Sequence, residues 1–446
     1  MRGLSVCSWK GEEMKVVLSL GYGRLHLMSS ARFIAAAGCK VWMICGWVPR
    51  NPNGLLVRVC SKLIGRDLSA GMKKRVIDIP GVEVCSMPLV DFSDQALRLA
   101  DRKLFKGKLK KGISSFSWKV FGRCSKRMLK DADVFHVRSG AGQGGAIVRA
   151  KKMGMKVVCD HSIAHPAFMD KHLRGEYEKN GAMFDLGMDS PFWRQIVKDC
   201  AESDVVMVNS FFVKDTFVEN GFDPDKIKVV YLGQREDFFG LRKSKFEPQN
   251  TQKDTEPVKL LFTGGFGFRK GGEYILEALK ILKQRGVAFE MDVVGDYSSA
   301  RQLIARYESD FDIFYASTIK PQTSNFKLTF HGPKPQDELK SFLANGDIYV
   351  FPSLAEGCAQ SGMEAMAAGM CVVATHESGF PITDGENGYL VPTKNAQAIA
   401  DRILWLMDHP EEIDRVGANA AKLIRENYTW EKYAENVKKL YGELVG

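Results

Sequence analysis

The stretch FPSLAEGCAQSGMEAMAAGMCVVAT, residues 351–375, decides how this chain is read. It runs from a buried strand end through a Gly-containing turn into a helix over 363–368. Gly369 then stops the helix, and a second strand ends in VVAT. Two carboxylates, Glu356 and Glu364, stand eight residues apart across the turn. A strand, a Gly turn, a helix and a strand make the repeating unit of a parallel α/β sheet. Such sheets bind ligands beyond the carboxyl ends of their strands.

Working outward, the same alternation fills the second half. Strands are predicted at 257–265, 289–296, 327–332 and 348–353, a short strand pair or turn at 386–392, and 297–325 is irregular. Helices are predicted from 268 to about 285, at 338–345 and 396–409, and in a closing pair at 411–427 and 430–444. The polar stretch 240–257, with two prolines, reads as a linker. Before it the pattern runs once more. Strands are expected at 14–20, 40–45, 82–88, 131–140 (ending in a Gly-rich turn before a helix), 155–162 and 226–233, and 200–210 reads as a helix end then a strand; the turn GYGRLH and a helix ending at Gly38 follow the first. The predicted class is α/β, with two Rossmann-like domains facing across a cleft. The boundaries are a possible extension over 1–13, a first domain over 14–239, the linker, a second domain over 258–428 and a last helix over 429–446.

Composition agrees. At 446 residues the chain exceeds one hydrophobic core. Its 45% hydrophobic and 26% charged content is that of a soluble globular protein. A net charge of +10 favours an anionic partner. The ten cysteines are scattered with no CxxC pair, which predicts reduced thiols in a cytoplasmic setting rather than disulfides or a zinc site. The N-terminus lacks the pattern of a signal peptide, and no 18-residue apolar run occurs.

Several side-chain groups carry chemistry. Arg269 and Lys270 sit at a strand-to-helix turn, where charge, free N–H groups and helix dipole favour phosphate. The GK[ST] of a P-loop is absent, which disfavours nucleotide hydrolysis. Residues 356–362 offer backbone N–H groups to a second anion or a sugar oxygen. Glu364 is either a helix-dipole partner worth about 0.3–1 kcal/mol or an acceptor for a vicinal diol such as ribose. A glycosidase pair with Glu356 fits poorly beside a diphosphate site. His161 stands at a strand end, open to a ligand or to a structural role. Between residues 102 and 130 there are eleven Lys or Arg, no acid and interleaved aromatics. That pattern suits an anionic membrane surface, with a plain solvated helix face as the rival. No motif supports nucleic-acid binding.

Taken together, Glu356 and Glu364 in FPSLAEG…MEAMAAG…VVAT, ESG at 377–379 and GENGYLVP at 385–392 closely resemble the family 4 glycosyltransferases of the GT-B fold. Gly21, His26, Gly38, the CDHS strand end, SDVVMVNS and the RKG turn fall in that family's order. The resemblance implies a retaining, metal-independent transfer from a nucleotide-diphosphate sugar bound by the second domain to an acceptor bound by the first. The C-terminal helices would pack back toward the first domain. It implies Glu364 on the ribose, Glu356 on the donor sugar, and Arg269 and Lys270 on the diphosphate with Gly21 and Gly23. His161 would lie near the reacting carbon, His331 and Gly332 near the base. Gly357, Cys358, Ala359, Gln360 and Ser361 would make donor-sugar or backbone contacts. No cofactor is implied beyond the donor as co-substrate, and no DxD metal motif stands in the expected place. The sequence departs from the family at Gly265, where Arg is usual, at Ala359 and Ser361 in the turn after Glu356, and at Cys371, where Pro is usual.

The expected acceptor is a glycan or lipid-linked molecule in surface polysaccharide or envelope glycan synthesis, met at the inner face of the plasma membrane. The membrane or acceptor candidates are Lys103, Lys106, Lys108, Lys110, Lys111 and Trp118. A soluble small acceptor is the rival reading, and a non-catalytic nucleotide-sugar-binding protein is the reading from another class. A phosphorylase would need a pyridoxal-phosphate lysine motif, which is not seen.

Overall fold

A computed structural model describes residues 13–22, 26–49, 51, 53–64, 67, 69–73, 78–242, 257–315 and 325–446. Two seven-stranded sheets organise the chain. The first contains β1 Lys15–Ser19, β2 Lys40–Cys45, β3 Val82–Ser86, β4 Val134–Arg138, β5 Lys156–His161, β6 Val205–Val208 and β7 Ile227–Val229. The second contains β8 Val258–Thr263, β9 Phe289–Val294, β10 Asp312–Tyr315, β11 Phe326–Gly332, β12 Ile348–Phe351, β13 Cys371–Ala374 and β14 Tyr389–Leu390. Every strand pair is parallel. The physical reason is in the strands: VVMV, IYVF and CVVA are buried at every position, as sheets covered by helices on both faces require.

The strand orders are β3-β2-β1-β4-β5-β6-β7 and β10-β11-β9-β8-β12-β13-β14. The order reverses between β1 and β4 in the first sheet and between β8 and β12 in the second, where β10 is added outside β11 at the edge. Crevices form outside the strand ends at such reversals.

The last two helices part company. Pro410–Asn427 buries Ile413, Val416, Ala420 and Ile424 in the second domain's core. Thr429 then caps a new helix, Trp430–Val445, its hydroxyl accepting from the Lys432 N–H. This helix packs Trp430, Tyr433, Val437 and Tyr441 with Val16, Leu18, Val134 and Val158 of the first domain. Trp430 stacks on Phe33 with ring centres 5.3 Å apart. The expected return of the C-terminus to the first domain is therefore observed.

Some boundaries differ from expectation. The strand predicted over 82–88 ends at Ser86, because Pro88 begins a helix, Pro88–Leu104, where a missing N–H costs nothing. The region taken as irregular over 297–325 holds the helix Arg301–Ala305 and β10. Helices Leu55–Ile64, Pro166–Glu178 and Phe211–Val218 were not anticipated. Most of the linker, 243–256, and residues 1–12 of the N-terminal extension lie outside the described residues.

Candidate functional site

The opening stretch folds nearly as its sequence predicts, with one shift. Its helix is Gln360–Ala368, so Gln360 and Ser361 form the first turn and Glu364 lies a full turn in. Ser361 Oγ donates to Thr263 O (3.1 Å), which ties the helix start to the end of β8. Gln234 Nε2 donates to Gln360 Oε1.

Glu356 follows β12, and Arg269 and Lys270 follow β8, so the three meet at the second sheet's reversal. Arg269 Nη1 lies 2.6 Å from Glu356 Oε2, and Lys270 Nζ lies 3.7 Å from the same oxygen. Arg269 also donates to Ala355 O (3.0 Å). Lys270 Nζ stands 5.0 Å over the Phe351 ring. Burial opposes ionisation of Glu356, but the Arg269 and Lys270 charges outweigh it and hold the carboxyl below its ordinary pKa. Lys270 is held below its ordinary value by burial, with Glu356 opposing. Among the described residues, the contacts of the buried Glu356 Oε2 are these two cations. The sequence reading kept diphosphate clamp and sugar ligand apart. The structure joins them in one ion cluster. At Gly265 a Cβ would come within 4 Å of Asp296 O alone among the described residues, at 3.8 Å.

Glu364 is half-buried. Burial pushes its carboxyl up to about 7, with Asp237 adding and Arg235 opposing. His331, at the end of β11, lies 2.7 Å from Asp292 Oδ1 through Nε2 and packs edge-on against Phe342. Gly332 closes the same strand.

The Glu356 turn touches the first domain. A Cβ on Gly357 would lie 2.0 Å from Ser162 O, so only glycine permits this approach. Ser210 Oγ donates to Gly357 O (2.5 Å). His161, one residue before Ser162, is buried; its Nδ1 is 2.9 Å from Ser139 Oγ, and its ring lies edge-on against Phe217. Among the described residues its Nε2 has no side-chain hydrogen-bond partner. Burial, aided by His165 and Arg138, pushes the imidazole down to about 4, so it is neutral near pH 7. Cys358, Ala359 and Gln360 line the same turn, half-buried.

The end of β5 also carries a network that sequence reasoning missed. His26 Nε2 lies 2.9 Å from Asp160 Oδ1, His136 Nε2 lies 3.4 Å from Asp160 Oδ2, and His136 Nδ1 lies 2.5 Å from Tyr441 OH. Burial opposes it, yet the two histidines hold the Asp160 carboxyl well below the usual range. His26 stood in the family pattern, but its pairing needs β1 and β5 set on either side of β4, which brings the helix after β1 to the end of β5.

At the first sheet's reversal, Gly21 has φ +70°, and a Cβ there would lie 2.2 Å from the Trp118 ring. Gly23 lies outside the described residues. Trp118 is 7% exposed, in the core with Tyr22, Phe121 and Phe192. It supports the Gly21 loop and is not on the surface proposed for it. The basic stretch instead forms the end of helix Pro88–Leu104, a turn and helix Lys110–Ser125. Lys103, Lys106 and Lys108 are, among the described side chains, at the surface or close to it. The Lys110 and Lys111 side chains lie outside the described set.

Residues 243–423 match the family described as glycosyl transferases group 1. The amylovoran biosynthesis glycosyltransferase AmsK of Erwinia amylovora is 30% identical over 214 residues, 46% of this chain and 48% of that protein. The chain thus spans about half the length of that relative. Sucrose-phosphate synthase from Thermosynechococcus elongatus superposes with a TM-score of 0.64 at 16% identity, covering 97% of this chain and 99% of the other. HepE of Anabaena, solved with UDP and glucose, superposes with a TM-score of 0.58 at 14% identity over 97% and 100% of the two chains. Residues 243–423 therefore carry the sequence pattern of the group 1 glycosyl transferases, on a chain with the two-domain GT-B fold.

Proposed function

We propose that this protein is a retaining glycosyltransferase that moves a sugar from a nucleotide-diphosphate sugar to a glycan or lipid-linked acceptor of surface polysaccharide or envelope glycan synthesis. One observation carries the reading: the Arg269–Lys270–Glu356 cluster presses through Gly357 onto the strand end that bears His161. Donor-side and acceptor-side groups thereby share one crevice. AmsK, a relative named for amylovoran biosynthesis, supports the polysaccharide assignment.

In this account the second domain, 258–428, holds the donor and the first, 14–239, the acceptor. Lys270 and Arg269 take the negative charge that grows on the diphosphate as the anomeric C–O bond breaks, and the bond's electrons leave with the nucleoside diphosphate. Preorganised cations supply that stabilisation without a metal. Glu356 Oε2 accepts a sugar hydroxyl, and Glu364, as the carboxylate, accepts from the ribose diol. Neutral His161 positions the sugar near the reacting carbon through the Nε2, which lacks a side-chain partner among the described residues. The acceptor hydroxyl attacks from the face the diphosphate leaves, forming the new glycosidic bond and passing its proton to the departing diphosphate oxygen, and domain closure keeps water from the donor.

The acceptor side is assigned to a peripheral position on an anionic membrane, at the cytoplasmic face. No helix among the described residues is long and apolar enough to cross a membrane. Leu104, Phe105 and Leu109 are 73%, 49% and 47% exposed on a turn that also bears Lys106 and Lys108. Asp101 shapes this turn: its backbone O accepts from Phe105 N and Gly107 N, and its Oδ1 accepts from Leu109 N. Apolar side chains held outward among lysines fit an anionic lipid surface.

The test is release of nucleoside diphosphate from a panel of nucleotide sugars, with and without membrane lipid extract. Release that depends on the extract supports the reading. Absence of release from every donor would sink it.

A further inference from the structure

Arg138 is the last residue of β4, at the first sheet's reversal, in register opposite Asp160. Among the described residues its guanidinium makes no hydrogen bond and no ion pair at contact distance. Its close partner is the Trp118 ring, 5.1 Å away. Asp160 balances it only at longer range, since that carboxylate is engaged by His26 and His136. Arg138 is half-buried, and burial lowers its pKa to about 10, with Asp160 opposing. A charge taken from water without a partner is costly, and an oxyanion removes that cost.

The surroundings suit such a ligand. Trp118 is fixed beneath Gly21 and against Phe192, so the guanidinium rests on a rigid ring. Arginine stacked on an aromatic face keeps its N–H edge for bidentate contact with carboxylate or phosphate. The glycine-rich loop that follows does not compete. Asp199 accepts from the N–H groups of Gly140 (2.6 Å) and Gly142 (2.9 Å) and from Gln143 Nε2, which turns those donors inward. The Arg138 charge also reaches His161, which it helps keep neutral.

We propose that Arg138 binds an oxyanion carried by the acceptor, a phosphate ester or a uronate carboxylate, and so restricts the enzyme to acidic acceptors. This rests on the reading of the first domain as the acceptor side.

The test is calorimetric titration of the full chain with inorganic phosphate and, separately, with glucuronate, for wild type, R138Q and R138K. Wild type is expected to bind at least one of the two. R138Q should weaken that binding at least tenfold. R138K, which keeps the charge but not the fork, should fall between, and it serves if R138Q does not fold. Preference for phosphate identifies a phosphorylated acceptor, and preference for glucuronate an acidic sugar. Binding of neither probe to wild type, or unchanged binding in R138Q, would overturn the proposal. None of these readouts requires glycosyl transfer, so failure here is separable from absence of nucleoside diphosphate release.

Discussion

The two sheets reverse strand order at equivalent places, and an arginine stands near each reversal. In the second domain Arg269 lies 2.6 Å from Glu356 and beside Lys270, so the charges are matched before any ligand arrives. In the first, Arg138 meets an aromatic ring and has no ion pair at contact distance among the described residues. The difference teaches how one fold divides labour. Matched charges hold a fixed geometry suited to a developing diphosphate. An unmatched cation on a rigid ring is a site that a ligand completes.

This contrast can be broken most strongly at Lys270. K270A leaves the Arg269–Glu356 pair but removes a preorganised cation, and turnover should fall about 10²–10³-fold. Steady-state kinetics beside an unchanged thermal unfolding profile check it. A next target is the contact between the two reversals. In G357A the new methyl would collide with Ser162 O. The domains must then separate, and kcat/KM should drop more than tenfold while the isolated nucleotide affinity stays near wild type. Parallel loss of both would place the glycine's role inside the second domain alone.

Glu364 sharpens the comparison through pH. Its carboxyl sits near 7 because burial penalises the charge, so it gains a proton as pH falls through neutrality. Only the carboxylate accepts both ribose hydroxyls. Nucleotide-sugar affinity should therefore fall about tenfold from pH 8 to pH 6, following the ionised fraction. E364Q should bind weakly with a flat profile. A wild-type affinity independent of pH over that range would remove Glu364 from the ribose. The smallest effect belongs to the apolar turn. Replacing Leu104 and Phe105 with Ser should reduce co-sedimentation with phosphatidylglycerol vesicles several-fold and leave soluble nucleotide binding alone. Each fully buried Leu or Phe contributes about 1.5–3 kcal/mol, and partial insertion contributes less.

Much of this was legible in the chain. Strands such as IYVF and VVMV announce themselves because a doubly covered sheet demands unbroken apolar runs. Glu356, Glu364 and Arg269–Lys270 stand out because their spacing places them at strand-to-helix turns. Three things were hidden for physical reasons. Trp118 looked like an interfacial aromatic, since an alternation of basic and aromatic residues does not say which face a helix buries. β10 is a four-residue edge strand with no fully buried position, too weak a pattern to separate from a loop. Arg138 and the His26–Asp160–His136–Tyr441 network depend on strand register and on a helix that returns from more than 300 residues away.

The central claim is that Lys270, Arg269 and Glu356 form the donor end of a glycosyl-transfer site. Its most direct measurement is nucleoside diphosphate release from UDP-, GDP- and ADP-sugars in the presence of membrane lipid extract, for wild type and K270A side by side. The account predicts release from one donor by wild type, with K270A at least a hundredfold slower. Equal rates for the two proteins, or no release from any donor, would contradict it.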